Sequence, residues 1–200
     1  MARRFVRLIV GLLLCGTGVS MMINANLGLS PWDVLHQGIS KHVGIPIGTV
    51  AILVGFAVLL LWLPLHERYG IGTLCNVVLI GLTINVLTDV LPSHPPIGLR
   101  VAFLVVGVFL FGPGSGFYIG ANLGPGPRDG LMTSIARRGH SVRVVRTIIE
   151  MTALVAGYAL GGSVGVGTLL FAFTIGPNVH FWLDRLSIEH PEPETVIGAE

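Results

Sequence analysis

Five polar side chains stand out in an otherwise apolar chain: Asn26, Asp33, Asn122, Asp129 and Glu150. Four of them belong to a stretch written twice, "ANLGLSPWD" at 25–33 and "ANLGPGPRD" at 121–129. Extended by two residues, the copies agree at seven of eleven positions: Ala25/Ala121, Asn26/Asn122, Leu27/Leu123, Gly28/Gly124, Pro31/Pro127, Asp33/Asp129 and Leu35/Leu131. Amides and carboxylates can hold the polar groups of a solute, and two matching sets point to one shared substrate-binding site. An aspartate at the centre of a bilayer costs about 2.5–3.5 kcal/mol on insertion scales, so it requires a partner or water. The motif also has a purely local reading. Asn-Leu-Gly ends a helix, with Gly28 or Gly124 in the left-handed turn that follows. Ser30 (Gly126 in the second copy) caps a new helix, Pro31 or Pro127 fills its first turn, and Asp33 or Asp129 meets the positive end of its dipole. Two readings therefore stand side by side. In one, the motif only starts a helix. In the other, each short helix is re-entrant or tilted, its N-terminus reaches a central cavity, and Asn26 and Asn122 face that cavity. Irregular backbone at membrane depth is tolerated only beside a cavity or within protein.

Catalytic chemistry finds little support. No H-E-x-x-H, nucleophile elbow or pair of catalytic acids is present. The glycine-rich "GPGSG" at 112–116 lacks the G-x-x-x-x-G-K-[ST] pattern of a phosphate loop. Cys15 and Cys75 each lie within an apolar run, which suggests neither a disulfide framework nor a metal site. The expectation is a protein that is not an enzyme and needs no cofactor or metal. Five arginines fall within 128–146. Anchoring at anionic headgroups is their simplest role, and an anion site is the alternative. Glu150 follows Arg146 by four residues, so a local ion pair is its default. As the only acid in that apolar stretch, it remains a candidate for substrate binding. Asn76 and Asn85 suit hydrogen bonds between helices. Thr73 and Thr168, matched in "GTL", suit caps or a path lining.

The elements that would position these groups are membrane helices. The chain has 200 residues, 52% hydrophobic and 11% charged, with mean hydropathy +0.81. A soluble domain carries about 25% charged residues. Apolar runs at 8–23, 50–65, 74–91, 101–120, 147–161 and 168–183 approach the ~20 residues that cross a ~30 Å hydrocarbon core. They do not alternate as the strands of a barrel would. The expected fold is an all-α membrane protein of about six transmembrane helices, and the lipid bilayer is its first partner. Residues 1–20 also resemble a secretory signal with "LLLCG" as a lipidation site, but Leu14 is bulky there and no A-x-A site follows, so a retained first helix is simpler.

The duplication extends beyond the motif. At an offset of 96, Gly11, Gly16 and Gly18 fall on Gly107, Gly112 and Gly114; at 95, "GIGTL" (70–74) falls on "GVGTL" (165–169). Residues 1–186 thus read as a single polytopic membrane domain of two repeated units, 7–91 and 103–186, joined by "PSHPPIGLR" (92–100). Residues 187–200, polar, acidic and rich in proline, read as a loose cytoplasmic tail. The segments 31–43 and 127–139 are too short and polar for ordinary spans, which favours three spans per unit. An odd number inverts the second unit relative to the first. The positive-inside rule does not choose between three and four spans. Arg3, Arg4, Arg7, Arg137, Arg138, Arg143, Arg146 and Arg185 lie inside in both; Arg68 and Arg128 exchange sides with Lys41 and Arg100, leaving ten against two either way. Both termini are placed in the cytoplasm. Glycines recurring every four residues, such as Gly112, Gly116 and Gly120, serve close helix packing within the chain or between copies of it. Pro113 is expected to kink its helix.

The motifs "ANLGLSPWDVLHQGIS", "GIPIGTV", "YIGANLGPGPRDGLM", "SVRVVRTIIE" and "GVGTLLFAFTIGP" together resemble the YczE/YitT-type family of bacterial integral membrane proteins, on the YczE side, across about 8–187. The resemblance implies a polytopic helical protein of the bacterial cytoplasmic membrane, with no settled substrate and no site residues to carry over. The function expected is therefore transporter-like: binding or moving an unknown small solute between two repeats. The alternatives are a substrate-binding membrane subunit of a separate energising complex, or an accessory membrane protein that supports another complex. A nucleic-acid partner is not expected.

Overall fold

The structure, a computed structural model, describes residues 1–93 and 95–187. The proposed loose tail lies outside these apart from Ser187. Eight α-helices follow one another: α1 Ala2–Ala25, α2 Pro31–Val43, α3 Ile47–Leu65, α4 Ile71–Val90, α5 Ile97–Gly120, α6 Pro127–Ala136, α7 Val142–Ala159 and α8 Val166–Leu186. No strand occurs among the described residues. Five helices are long and apolar enough to cross a membrane: α1, α3, α4, α5 and α8. The sixth apolar run lies in α7, which has 18 residues but carries Arg143, Arg146 and Glu150. Those charges separate it from the other five, where the sequence reading had about six spans. Large apolar side chains such as Leu60, Val86, Phe109, Val155 and Phe173 are exposed on the long helices, as expected of surfaces that meet lipid rather than water.

α1 and α5 form the central seam, and glycine makes it possible. A Cβ on Gly11 would lie 2.6 Å from the Gly114 carbonyl oxygen, and one on Gly18 would lie 2.6 Å from that of Gly107. As α1 ascends from 11 to 18, its partner descends from 114 to 107, so the two helices run antiparallel. Small residues permit such backbone approach, which replaces the hydrophobic effect as the source of helix association in lipid. Arg100 closes one end of the seam, donating from Nε to the Ala25 carbonyl and from an Nη to that of Asn26, both at 2.7 Å. Arg7 stacks over Phe117 at the other end.

α4 lies along α1 in the same direction: Gly16 meets Thr83, and the Asn24 amide donates to the Thr88 and Leu91 carbonyls. α8 lies along α5 in the same way, with Gly112 against Asn178, Gly116 against Trp182 and Gly120 against Leu186. The Asn178 amide donates to the Val108 and Phe109 carbonyls. α3 pairs with α4 as a hairpin, where Asn85 bonds the Thr49 hydroxyl at 2.9 Å, the inter-helix role expected of it.

The short helices pack against the far half of the chain. α2 lies along α7, where Gly157 accepts the backbone of Leu35. α6 lies along α3, where Gly130 accepts the ring of Trp62, whose indole N–H donates to the Pro127 carbonyl at 3.1 Å. The turns before them cross over too. The Gly72 N–H at the start of α4 donates to the Leu123 carbonyl, and the Gly167 N–H at the start of α8 donates to that of Leu27, each at 2.8 Å.

Candidate functional site

The repeated motif folds alike in both places. Asn26 and Asn122 adopt φ of 50° and 53°, and Gly28 and Gly124 adopt 111° and 122°. The left-handed turn expected at glycine is thus shared. Asparagine takes the ordinary left-handed conformation, which its short side chain tolerates. Glycine takes the wider angle that only a residue without a Cβ adopts easily. Gly28 packs on Gly165 and Thr168, and Gly124 on Gly70 and Thr73. Both threonines act as caps: each hydroxyl accepts the N–H of the glycine that precedes its helix, at 3.2 Å.

The chain then reverses and starts a short helix with proline at its first turn, Pro31 in α2 and Pro127 in α6. At α2 the local reading is fulfilled. The Ser30 hydroxyl accepts the Asp33 N–H at 3.4 Å and donates to Asp33 Oδ2 at 2.5 Å. Asp33 Oδ1 faces His36 Nδ1 at 3.3 Å. At α6 the cap position is Gly126, which has no side chain, and Asp129 Oδ2 instead accepts the Tyr118 hydroxyl of α5 at 2.6 Å. The helix ends at Ala136 rather than continuing to 139, because residues 137–139 form a turn in which the Gly139 N–H bonds the Ala136 carbonyl.

Both short helices begin at one cavity of about 340 Å³. Ser30, Pro31, Trp32, Asp33 and His36 come from the first, and Gly126, Pro127, Arg128, Asp129 and Met132 from the second. α3 contributes residues within 51–58 and α4 residues within 76–84, so the cavity lies near the middle of those spans. Phe111, Phe171 and Ile175 add apolar wall, while Arg146 and Glu150 enter from α7. Arg128 lays its guanidinium over the Trp32 ring, 4.8 Å from the centroid. These two residues occupy the same position in the two motif copies.

The structure brings together Asp33, Asp129 and Glu150. Glu150 also makes the local pair expected of it, with Arg146 Nε at 3.0 Å. Asn26 and Asn122 do not line the cavity; both sit at exposed helix corners. Pro31 and Pro127 line the wall, and Gly28 and Gly124 shape the turns behind it. Sequence reasoning did not select His36 or Tyr118, and it reached Arg128 only as one of five arginines with an anion site as their alternative role. The helical spacing of Asp33 and His36 was a signal for the first. Tyr118 carries no signal outside the fold, since it reaches Asp129 from another helix.

Helices long enough to span a bilayer and large apolar side chains exposed on them define an integral membrane protein. The chain belongs to the family of unknown function DUF6198, which matches residues 2–184. It is 40% identical over 181 residues to an uncharacterized protein of Haemophilus influenzae, covering 90% of this chain and 83% of that one. It is 37% identical over 179 residues to the uncharacterized membrane protein YczE of Bacillus subtilis, covering 88% and 83%. A second Bacillus subtilis protein, YyaS, is 27% identical over 181 residues. No solved structure matches the chain.

Proposed function

We propose that this is a transporter-like protein of the bacterial cytoplasmic membrane, without enzymatic activity, that binds a small solute between two inverted repeats. The observation that carries the reading is the convergence of two helix N-termini, each with an aspartate in its first turn, on one cavity within the span. Half-helices that end at a midplane site are a recurrent device of secondary transporters. The helix directions support the inversion. Gly11 with Gly114 and Gly18 with Gly107 are the same contact under the 96-residue offset, with partners exchanged. The Gly72–Leu123 and Gly167–Leu27 hydrogen bonds are likewise one contact with partners exchanged, the leucines being 96 residues apart and the glycines 95.

On this reading α1, α3, α4, α5, α7 and α8 cross the membrane, while α2 and α6 run from the cavity towards opposite faces. The start of α1, the 66–70 turn, the 137–141 turn and the end of α8 then share one face. That face gathers Arg3, Arg4, Arg68, Arg137, Arg138 and Arg185, which makes it cytoplasmic and holds both termini there. Labelling of Arg68→Cys from the outside would overturn this topology.

The functional test is uptake and binding by the full chain in liposomes, with a panel of amino acids, sugars, nucleosides and inorganic ions. At least one class should bind and cross. Asp129→Asn, which keeps the size of the side chain, should reduce that uptake at least tenfold while circular dichroism and melting stay close to wild type. A folded protein that neither binds nor moves any member of the panel would overturn the proposal.

A further inference from the structure

The cavity contains several charged groups, and most already have partners. Asp33 is held by Ser30 and His36, Glu150 pairs with Arg146, and His180 faces Asp184 at 3.6 Å. Two groups remain. Among the described residues, no direct hydrogen bond or ion pair occupies the Arg128 guanidinium, which stacks on Trp32 and lies within electrostatic reach of Asp33 and Asp129. Asp129 uses Oδ2 for Tyr118, and no hydrogen bond among the described residues reaches its Oδ1. Arg128 and Asp129 feel each other's charge, but no direct ion pair joins them. Arg128 is partly exposed and Asp129 exposed, and both line the cavity. α3 and α4 add an apolar wall to the same cavity, made by Val54, Val58, Val77, Ile80 and Ile84.

A site that offers a guanidinium and a carboxylate side by side, with no direct bond between them, disfavours a ligand with one charge. Such a ligand bonds one group and displaces water from the other without replacing it, which is costly in general. A neutral ligand matches neither charge. A ligand carrying both charges on adjacent atoms matches them together. The guanidinium fork suits a carboxylate held by two parallel hydrogen bonds, and a carboxylate oxygen suits an ammonium group. The apolar wall suits a hydrocarbon side chain, and the volume is at the small end of the range for ligand pockets.

We propose, building on the solute-binding reading above, that the cavity takes a small zwitterion with an apolar side chain, of the amino-acid class. Its carboxylate lies against Arg128, its ammonium against Asp129 Oδ1, and its side chain against α3 and α4.

The test uses the purified full chain in lipid nanodiscs with four probes: leucine, phenylalanine, 4-methylpentanoate (leucine without its amine) and 3-methylbutylamine (leucine without its carboxylate). At least one of the two zwitterions should bind, and leucine should bind at least tenfold more tightly than either single-charge analogue. Arg128→Gln should weaken leucine and 4-methylpentanoate at least tenfold and leave the amine within twofold. Asp129→Asn should do the reverse, weakening leucine and the amine. Arg128→Lys, which keeps the charge without the fork, should fall between wild type and Arg128→Gln, and melting of each variant checks that it is folded. The proposal is overturned if folded protein binds neither zwitterion, if a single-charge analogue matches leucine, or if both charge-removing variants bind leucine within twofold of wild type. The two readings fail separately: uptake of a sugar or an inorganic ion without zwitterion binding removes this inference and leaves the transport reading standing. Silence across the whole panel removes both.

Discussion

At the first corner Ser30, Asp33 and His36 close on one another; at the second, Gly126, Asp129 and Met132 occupy the matching positions and leave the carboxylate open. Asp33 is 3% exposed and His36 1%, whereas Asp129 is exposed to the cavity. The backbone of the two corners is nearly the same, down to the paired positive φ angles. A missing hydroxyl and a missing imidazole make the difference. Without a side chain at Gly126 or a ring nitrogen at Met132, Asp129 has no such local partner; its Oδ2 accepts the Tyr118 hydroxyl, and no hydrogen bond among the described residues reaches its Oδ1. The same stretch of sequence thus closes on its carboxylate in one place and leaves a carboxylate oxygen open in the other, so backbone likeness does not imply shared side-chain contacts.

The largest expected effect tests what the corners share. Gly28→Ala and Gly124→Ala each force a Cβ into a backbone conformation that costs L-residues about 1–2 kcal/mol. Each Cβ also meets the other half of the chain: Gly165 N at 2.6 Å in the first case, Thr73 Oγ1 at 2.8 Å and Gly70 Cα at 2.9 Å in the second. Both variants should lose about 2 kcal/mol or more, and to a similar extent, in thermal or denaturant unfolding in detergent. A neutral result at one corner would break the equivalence of the two turns.

Next comes the difference between the aspartates. Asp33→Ala removes the cap partner of Ser30 and leaves His36 buried without its carboxylate, so about 2–3 kcal/mol of stability should be lost. Asp129→Ala removes one bond to a tyrosine beside an open cavity, and about 1 kcal/mol or less is expected. Unfolding curves of the two variants compare them directly. Equal losses would mean that Asp129 is as structural as Asp33, and would weaken its assignment to solute binding.

Much of the first corner was legible before any coordinates. Ser30, Pro31 and Asp33 spell a helix start, and α2 occupies 31–43 as expected because capping is a matter of four neighbouring residues. The Arg146–Glu150 pair was legible for the same reason, being one helical turn long. The second corner was less so. Its distinguishing contact, Tyr118 with Asp129, joins residues on two helices, and no local pattern announces it. Trp32 and Arg128 are a position at which the two copies differ, yet the guanidinium of one lies over the ring of the other in the cavity. Contact between equivalent positions depends on how the halves are placed together. Asn26 and Asn122 were misread as cavity groups because their amides invite a binding role, whereas the backbone uses them for tolerance of positive φ. The charges of α7 were visible from the start, but apolar length alone had ranked it with the other spans.

The smallest expected effect concerns the far ends of the short helices. Lys41 at the end of α2 donates to the Gly161 carbonyl beyond α7 at 2.6 Å. Arg137, its equivalent after α6, pairs with Glu67 beyond α3. Each tie joins a short helix to the opposite half, but the partners differ: a neutral carbonyl in one case and a carboxylate in the other. Arg137 is well exposed, with side-chain exposure of 65%, so its pair contributes about 0–1 kcal/mol after solvent screening. Arg137→Ala should therefore lower stability only slightly, and 0.5 M salt should shrink the difference from wild type, since the Debye length falls well below 10 Å. Lys41→Ala should be similarly mild but nearly indifferent to salt, because no opposite charge is lost. Melting of both variants at low and high salt would separate the two. If both effects vanished together with salt, the Lys41 contact would be acting through a charge and not the carbonyl, and the ends of the short helices would be more alike than their first turns.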